Sequence, residues 1–248
     1  MQRSDAKVLV FQHIACEHPG IFREFLAADS IAWQAVELDE GEPLPDLEPF
    51  DILWVMGGPM DVWQVETHAW LQPEMAAIRR WVQELQRPFF GFCLGHQLLA
   101  QALGGQVGPA AEPEIGILPV DLTEAGRAHP LFAGLPDRLT SLQWHSAEVL
   151  SPPPGATILA ESAACKVNAF AVGAQAFGLQ YHSEITADTV PEWGAVPAYA
   201  ASLETALGAG ALGRLEAEAA AALPQLNQAA RRLYDNFMDI ACEPRNAA

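Results

Sequence analysis

Four short apolar runs in the first hundred residues carry the pattern of strands: Lys7–His13, Ala32–Leu38, Phe50–Met56 and Pro88–Phe92. Between them, Ile21–Ala28 and Ala69–Gln86 place apolar residues at helical spacing. This alternation predicts βαβ units, and so an α/β fold of three layers, with a mostly parallel central sheet and helices on both faces. After about residue 105 the pattern changes. Ile115–Leu122, Leu139–Trp144, Ala156–Ala160, Val167–Val172 and Ala174–Tyr181 are strand-like runs separated by turns rich in Pro and Gly. They predict a mixed or antiparallel extension of the sheet. Residues 196–241 read as helical, with Pro224 near one helix start and Ala229, Leu233, Phe237 and Ile240 forming an apolar stripe. The expected organisation is a main domain over residues 1–195 and a C-terminal helical extension, 196–248, packed on it.

The most informative stretch is 88–104. The run Pro88–Phe92 leads into Cys93, and a helical pattern with Leu98, Leu99, Ala102 and Leu103 follows. Gly91 and Gly95 flank the cysteine, and only glycine lets two backbones pass without a Cβ clash. The pattern is that of a sharp strand-to-helix elbow with a thiol at a helix N-terminus. Free N–H groups and the helix dipole favour thiolate over thiol there. A small buried hydrophobe would read the same way on this stretch alone.

Two further segments bear on Cys93. The strand-like Ala176–Tyr181 delivers His182 at its end, with Glu184 two residues on, on the same side if the chain stays extended. That supplies a base and a carboxylate to hold its tautomer. Met56-Gly57-Gly58-Pro59 follows another strand, and such a turn can aim N–H groups at a developing oxyanion. Its paired glycines let the peptide rotate at little steric cost.

With these three pieces in hand, the chain resembles the class I (triad) glutamine amidotransferases over about residues 7–190, and most closely their stand-alone, GMP-synthase-like branch. The nucleophile motif of that family matches at Gly91, Cys93, Gly95 and Gln97, and its Gly-Gly-Pro turn at Gly57, Gly58 and Pro59. Its closing motif matches at Gly178-Leu-Gln-Tyr-His-Ser-Glu184, with Ser183 for the usual proline and Tyr181 for phenylalanine. The resemblance implies a catalytic set of Cys93, His182 and Glu184 at the C-terminal edge of the parallel strands. It implies oxyanion donors in the backbone N–H groups of Gly58 and Leu94, beside Gly57, and a substrate contact from Gln97. It also makes His145, in Trp144-His-Ser-Ala-Glu-Val149, a neighbour of the substrate's amino-acid end; an ordinary strand-end histidine is the alternative. The implied substrate is glutamine, cleaved through a γ-glutamyl thioester, with ammonia passed to a separate synthase subunit. A stand-alone hydrolase of a small γ-glutamyl compound keeps the chemistry and drops that partner. A non-enzymatic scaffold with a redox-sensitive thiol is the third reading.

Other signals narrow the picture. The net charge of −18, from 13 basic and 31 acidic residues, argues against nucleic acid or an anionic membrane as partner. The chain starts straight into a strand with no cleavable signal pattern, which reads as cytoplasmic. Lys7 and Lys166 are its lysines and alanine is abundant, a composition that suits a GC-rich bacterial genome. Cys16, Cys93, Cys165 and Cys242 form no C-x-x-C pair. His13, Cys16, Glu17 and His18 cluster after the first strand, but their spacing matches no closed zinc set. That loop is expected to touch substrate, and no metal or cofactor is expected. Gly208-Ala-Gly-Ala-Leu-Gly213 matches a dinucleotide fingerprint in letters, but no strand precedes it, so it reads as a helix–helix turn. His96 and His129 read as structural.

Overall fold

The structure, a computed structural model, describes residues 2–243. Its strands are β1 (Lys7–Gln12), β2 (Ala32–Glu37), β3 (Ile52–Val55), β4 (Phe89–Phe92), β5 (Gln106–Leu122), β6 (Arg138–Ser151), β7 (Thr157–Glu161), β8 (Ala169–Val172) and β9 (Ala176–Leu179). Its helices are α1 (Phe22–Ala28), α2 (Leu71–Arg79), α3 (Leu94–Ala102), α4 (Glu124–Ala128), α5 (Thr189–Gly194), α6 (Pro197–Leu207) and α7 (Ala211–Cys242). The strands form one sheet in the order β2-β1-β3-β4-β9-β8-β7-β5-β6. From β2 to β9 the neighbours are parallel. From β9 to β6 they are antiparallel. The predicted α/β architecture with its antiparallel extension is what the chain adopts.

Burial on both faces explains the unbroken apolar strands. Side chains alternate along β1: Val8 and Val10 enter one core with α1, Leu9 and Phe11 the other with α2 and α3. In β3, Ile52 and Trp54 take the first face, and Leu53 and Val55 the second. The second half of α7 completes the first core. Its Phe237 ring stacks on Phe90 with centroids 4.6 Å apart. A third core joins α5, α6 and the first half of α7 to Ile115, Leu142 and Trp144 of β5 and β6. No helix among the described residues is long and apolar enough to cross a membrane.

The structure differs from the sequence pattern in three places. Ala69–Gln86 is not one uniform α-helix; α2 passes into a π-helical stretch, Arg80–Leu85. The strands β5 and β6 extend well beyond the apolar runs Ile115–Leu122 and Leu139–Trp144, through polar residues that an antiparallel ribbon can leave half-exposed. Pro224 lies inside the 32-residue helix α7, not at a helix start. It is exposed there, so the carbonyl it leaves without a donor faces water. The apolar stripe runs through Leu226, Ala230, Leu233, Tyr234, Phe237 and Met238, with Ala229 and Ile240 half-buried at its margins. Residues 244–248 of the C-terminal segment lie outside the described residues.

The junction of β4 and α3 is set by two close approaches. A Cβ added to Gly95 would lie 2.1 Å from the Val55 carbonyl oxygen. One on Gly91 would lie 2.5 Å from the Gly95 carbonyl oxygen. Neither obstacle is a side chain that can swing away. Gly95→Ala is therefore expected to destabilise the fold by about 1–3 kcal/mol, as overpacking against fixed atoms does. Urea unfolding measures it. A change under about 0.5 kcal/mol, the usual surface range, would show that the two segments can separate freely.

Candidate active site

Cys93 caps the N-terminus of α3 with a left-handed backbone, φ +48°. A non-glycine residue holds that conformation only where its surroundings over-determine it. Three hydrogen bonds do so. The Cys93 N–H donates to the Leu179 carbonyl at 2.8 Å, the Gly95 N–H to Met56 at 3.1 Å, and the Gln97 N–H to Cys93 itself at 3.1 Å. The sulfur is buried at the base of a cleft of about 80 Å³. The side-chain amide of Gln180 donates to it at 3.6 Å.

His182 follows β9 and is fixed from the neighbouring β6. Its N–H donates to the Leu142 carbonyl at 2.9 Å, and its own carbonyl accepts from Ser141 Oγ at 2.9 Å. Its Nδ1 is 2.7 Å from Glu184 Oε1, both side chains buried. Its Nε2 has no protein hydrogen bond. Burial alone would push this imidazole down. The Glu184 carboxylate and the Cys93 sulfur outweigh burial and hold it well above the ordinary histidine value. The indole of Trp193, from α5, meets the ring edge-on at 4.5 Å. The Glu184 carbonyl accepts from the Ile21 N–H at 2.7 Å, a contact that requires Gly20, with its φ of +47°.

The Gly57–Gly58 turn lies opposite. Neither glycine has positive φ. Gly57 is needed for close approach, because a Cβ there would sit 2.4 Å from Glu17 Oε2 and 3.0 Å from His182 Cε1. Gly58 lines the cleft beside Cys93. The N–H groups of Gly58 and Leu94 donate to no backbone carbonyl among the described residues. His13 Nδ1 meets the Gly57 carbonyl at 2.8 Å.

Gln97 and His145 also line the cleft. The Gln97 amide donates to the Ala147 carbonyl at 3.1 Å and to Gln180 Oε1 at 3.2 Å. His145 Nδ1 shares that Ala147 carbonyl at 3.0 Å, and its Nε2 lies 3.3 Å from Glu114 Oε2. Burial pushes the Glu114 carboxyl up, but hydrogen bonds from His145 and Ser162 outweigh it and bring it below the usual value.

The loop after β1 does not line the cleft as expected. His13 turns away to Glu74, 2.9 Å from its Nε2. His18 accepts from the Gly20 N–H and contacts Arg23. Glu17 instead reaches the His182–Glu184 pair and accepts a hydrogen bond from Tyr199 of α6. Burial, then the nearby Glu184 charge, raises its carboxyl against the pull of His182 and Tyr199. Glu17, His182 and Glu184 offer three potential metal-ligand atoms within 4.8 Å of one another. A metal there would occupy a ring nitrogen of His182. Tyr199 and Ser202, which close one side of the cleft, carry no local sequence signal. Gln180 does carry one, since it lies inside the motif that ends in His182 and Glu184.

The model of the class-I glutamine amidotransferase family matches residues 26–191. The glutamine amidotransferase-like protein YfeJ of Salmonella typhimurium is 36% identical over 164 residues, covering 65% of this chain and 67% of that protein. One subunit of the glutamine-hydrolysing GMP synthase of Saccharolobus solfataricus is 34% identical over 145 residues, 58% of this chain and 72% of the relative. Among solved structures, a glutamine amidotransferase from Thermotoga maritima superposes with a TM-score of 0.83 at 28% identity, covering 94% of this chain and 98% of that one. One from Methylobacillus flagellatus gives 0.82 at 29%, covering 98% of both.

His96, one turn into α3, packs beneath the site against Phe170, with its ring wholly buried. Burial lowers its imidazole to about 3. In the unfolded chain the same ring protonates near 6.5. Above that value His96 has no effect on the pH dependence. As pH falls toward 3 the unfolded state gains a proton that the native state cannot take, so stability is lost. The loss from this one group reaches on the order of 3 kcal/mol by pH 4. His96→Leu should flatten the decline of the urea midpoint between pH 6.5 and 4, and an unchanged decline would assign it to other groups.

Proposed function

The chain belongs to the class-I glutamine amidotransferase family, and within it we propose that Cys93, His182 and Glu184 form the catalytic triad for hydrolysis of the glutamine side-chain amide or a related γ-glutamyl bond. The observation that carries this reading is His182 itself: Nδ1 is committed to Glu184 at 2.7 Å, Nε2 is left without a protein partner, and the ring is raised by Glu184 and by the sulfur of a cysteine at a left-handed elbow. The Cys93 thiolate attacks the γ-carbonyl carbon. The oxygen takes the negative charge and is met by the N–H groups of Gly58 and Leu94. As the tetrahedral adduct collapses, the carbon–nitrogen bond breaks and the His182 imidazolium protonates the leaving ammonia. The neutral imidazole then takes a proton from water, which cleaves the γ-glutamyl thioester and regenerates the thiol. Glu184 holds the ring in its working orientation throughout. Gln97 and His145 border the space for the amino-acid end of the substrate. We assign this chemistry to residues 1–195 as one domain, with the following helices as an extension of it, and place it in the cytoplasm.

Two fates of the ammonia divide the reading. In the first it passes to a separate synthase protein, a reading supported by the likeness to one subunit of GMP synthase. The second is a stand-alone hydrolase of a small γ-glutamyl compound. It is favoured by α6, whose Ala198, Tyr199 and Ser202 border the cleft from within the same chain. Assays of the purified chain on glutamine and on a panel of γ-glutamyl amines and peptides separate the two. Faster turnover of one panel member than of glutamine supports the second, and ammonia release from glutamine alone the first.

Cys93→Ala should lower turnover at least about 10³-fold without loss of fold. A glutamine-mimicking electrophile should label Cys93, and labelling at Cys16 or Cys165 instead would defeat the assignment. His182→Asn should cost on the order of tenfold more than Glu184→Gln, because the ring transfers the proton and the carboxylate orients it. Small, equal losses would mean that the triad is wrongly drawn.

A further inference from the structure

The proposed mechanism uses one carboxylate–imidazole pair. The structure contains another a short distance away, fully buried and without an assigned task. His13 follows β1 and Glu74 lies in the first turn of α2, both with no exposed surface. Their contact is 2.9 Å, between His13 Nε2 and Glu74 Oε1. The ring stacks on Trp70 with centroids 5.1 Å apart and planes 14° from parallel. Its remaining nitrogen, Nδ1, meets the Gly57 carbonyl oxygen at 2.8 Å.

A carbonyl oxygen can only accept, so Nδ1 carries a proton whichever of His13 or Glu74 holds the proton between them. The Gly57 carbonyl and the Gly58 N–H are the two ends of one planar trans peptide, and they point in opposite directions. Holding the carbonyl toward His13 therefore holds the N–H toward the other side. Gly58 lines the cleft beside Cys93, whereas Gly57 does not. Rotation of this peptide, which two glycines would otherwise allow, would break the His13 bond and leave a buried imidazole donor without a partner.

We propose that His13, itself braced by Glu74 and Trp70, is a positioning residue that presets the Gly58 N–H as an oxyanion donor in the isolated chain. The inference rests on the proposed function, in which Gly58 binds the oxyanion. His13 touches neither the thiol nor the substrate; it acts through one peptide bond. The oxyanion site is then built from within the chain and does not wait for a partner to turn the peptide. The Glu74 carboxylate supports this: burial pushes the His13 ring down, and the Glu74 charge and hydrogen bond more than reverse it and raise the ring above its ordinary value.

Two amide isosteres separate positioning from packing. An asparagine amide nitrogen stands where Nδ1 stands, and a glutamine amide nitrogen where Nε2 stands. His13→Asn and His13→Gln are each combined with Glu74→Gln, so that no buried carboxylate is left unpaired. Binding of the γ-aldehyde analogue of glutamine is measured, because its hemithioacetal oxygen occupies the oxyanion site. Cys93 alkylation by iodoacetamide is measured beside it, since that reaction needs no oxyanion donor. The expected result is that the Asn variant keeps aldehyde affinity within about threefold of the parent. The Gln variant should lose on the order of 10²-fold, the scale of one missing oxyanion donor. Alkylation should stay within about twofold in both. If either polar variant does not fold, His13→Leu with Glu74→Met, which leaves no buried polar group, should show the same loss as Gln. Equal affinity in all variants overturns the inference while leaving the triad standing. The reverse order, or parallel loss of affinity and alkylation, overturns it in favour of a packing role. Failure of the native chain to bind the aldehyde overturns the proposed function, and this inference with it.

Discussion

The wedge of the α3 N-terminus between the ends of β3 and β9 is the constraint on which the site depends. The Gly95 N–H reaches the Met56 carbonyl on one side, and the Cys93 N–H reaches Leu179 on the other. These two bonds, with a fit that leaves no room for a Cβ at residue 95, hold Cys93 in a conformation it would not adopt alone. The turn after β3 and the loop after β9 are thereby brought to the same height as the sulfur. Parallel register does the rest: Val8 pairs with Ile52, Leu53 with Phe89, and Phe92 with Leu179. The C-terminal ends of β1, β3, β4 and β9 therefore open on one edge, and segments far apart in sequence meet there.

The charges at that edge follow a single pattern. Four carboxylates are buried around the site, and each meets a ring that can share or donate a proton: Glu74 with His13, Glu184 with His182, Glu114 with His145, Glu17 with Tyr199. Burying a carboxylate costs several kcal/mol unless it is paired. A lysine or arginine would pair it with a fixed charge. An imidazole or phenol lets the pair change its proton content at lower cost, which suits a reaction that moves protons in both halves of its cycle. In a chain with 31 acidic and 13 basic residues, the use of rings instead of cations at these four points is selective placement, since arginines are available and stay near the surface.

How much of this is legible in the sequence follows from the range over which each signal acts. The elbow, the His182–Glu184 pair and the glycine turn each sit within a few residues, at strand ends that apolar periodicity marks well. The two-sided burial of β1, β3, β4 and β9 is legible for the same reason. The full length of β5 and β6 is not, because their outer halves are stabilised by each other across the ribbon and are polar in sequence. Pro224 misleads because its lost hydrogen bond and its clash with the preceding turn are outweighed by the packing of the rest of α7, which is not written locally. His13 and Glu17 announce their chemistry but not their destination. Their partners, Glu74 and Tyr199, lie 61 and 182 residues away. No pattern within a loop reports on a partner at that distance.

The proposed reacting groups and the groups packed against them come from different stretches of the chain. The stretch matched to the family, residues 26–191, contains Cys93, His182, Glu184 and the Gly57–Gly58 turn. The groups that trim them lie on either side of it: His13 on the Gly57 carbonyl, Glu17 beside the His182 ring, Trp193 against that ring, Tyr199 along the cleft. The proposed triad thus falls within the stretch matched by the family model, whereas contacts to the Gly57 carbonyl, the His182 ring and the cleft also come from segments outside it. In this chain α6 borders the cleft through Ala198, Tyr199 and Ser202, and the N-terminal loop reaches the glycine turn through His13, so both flanks take part in the site from within the chain.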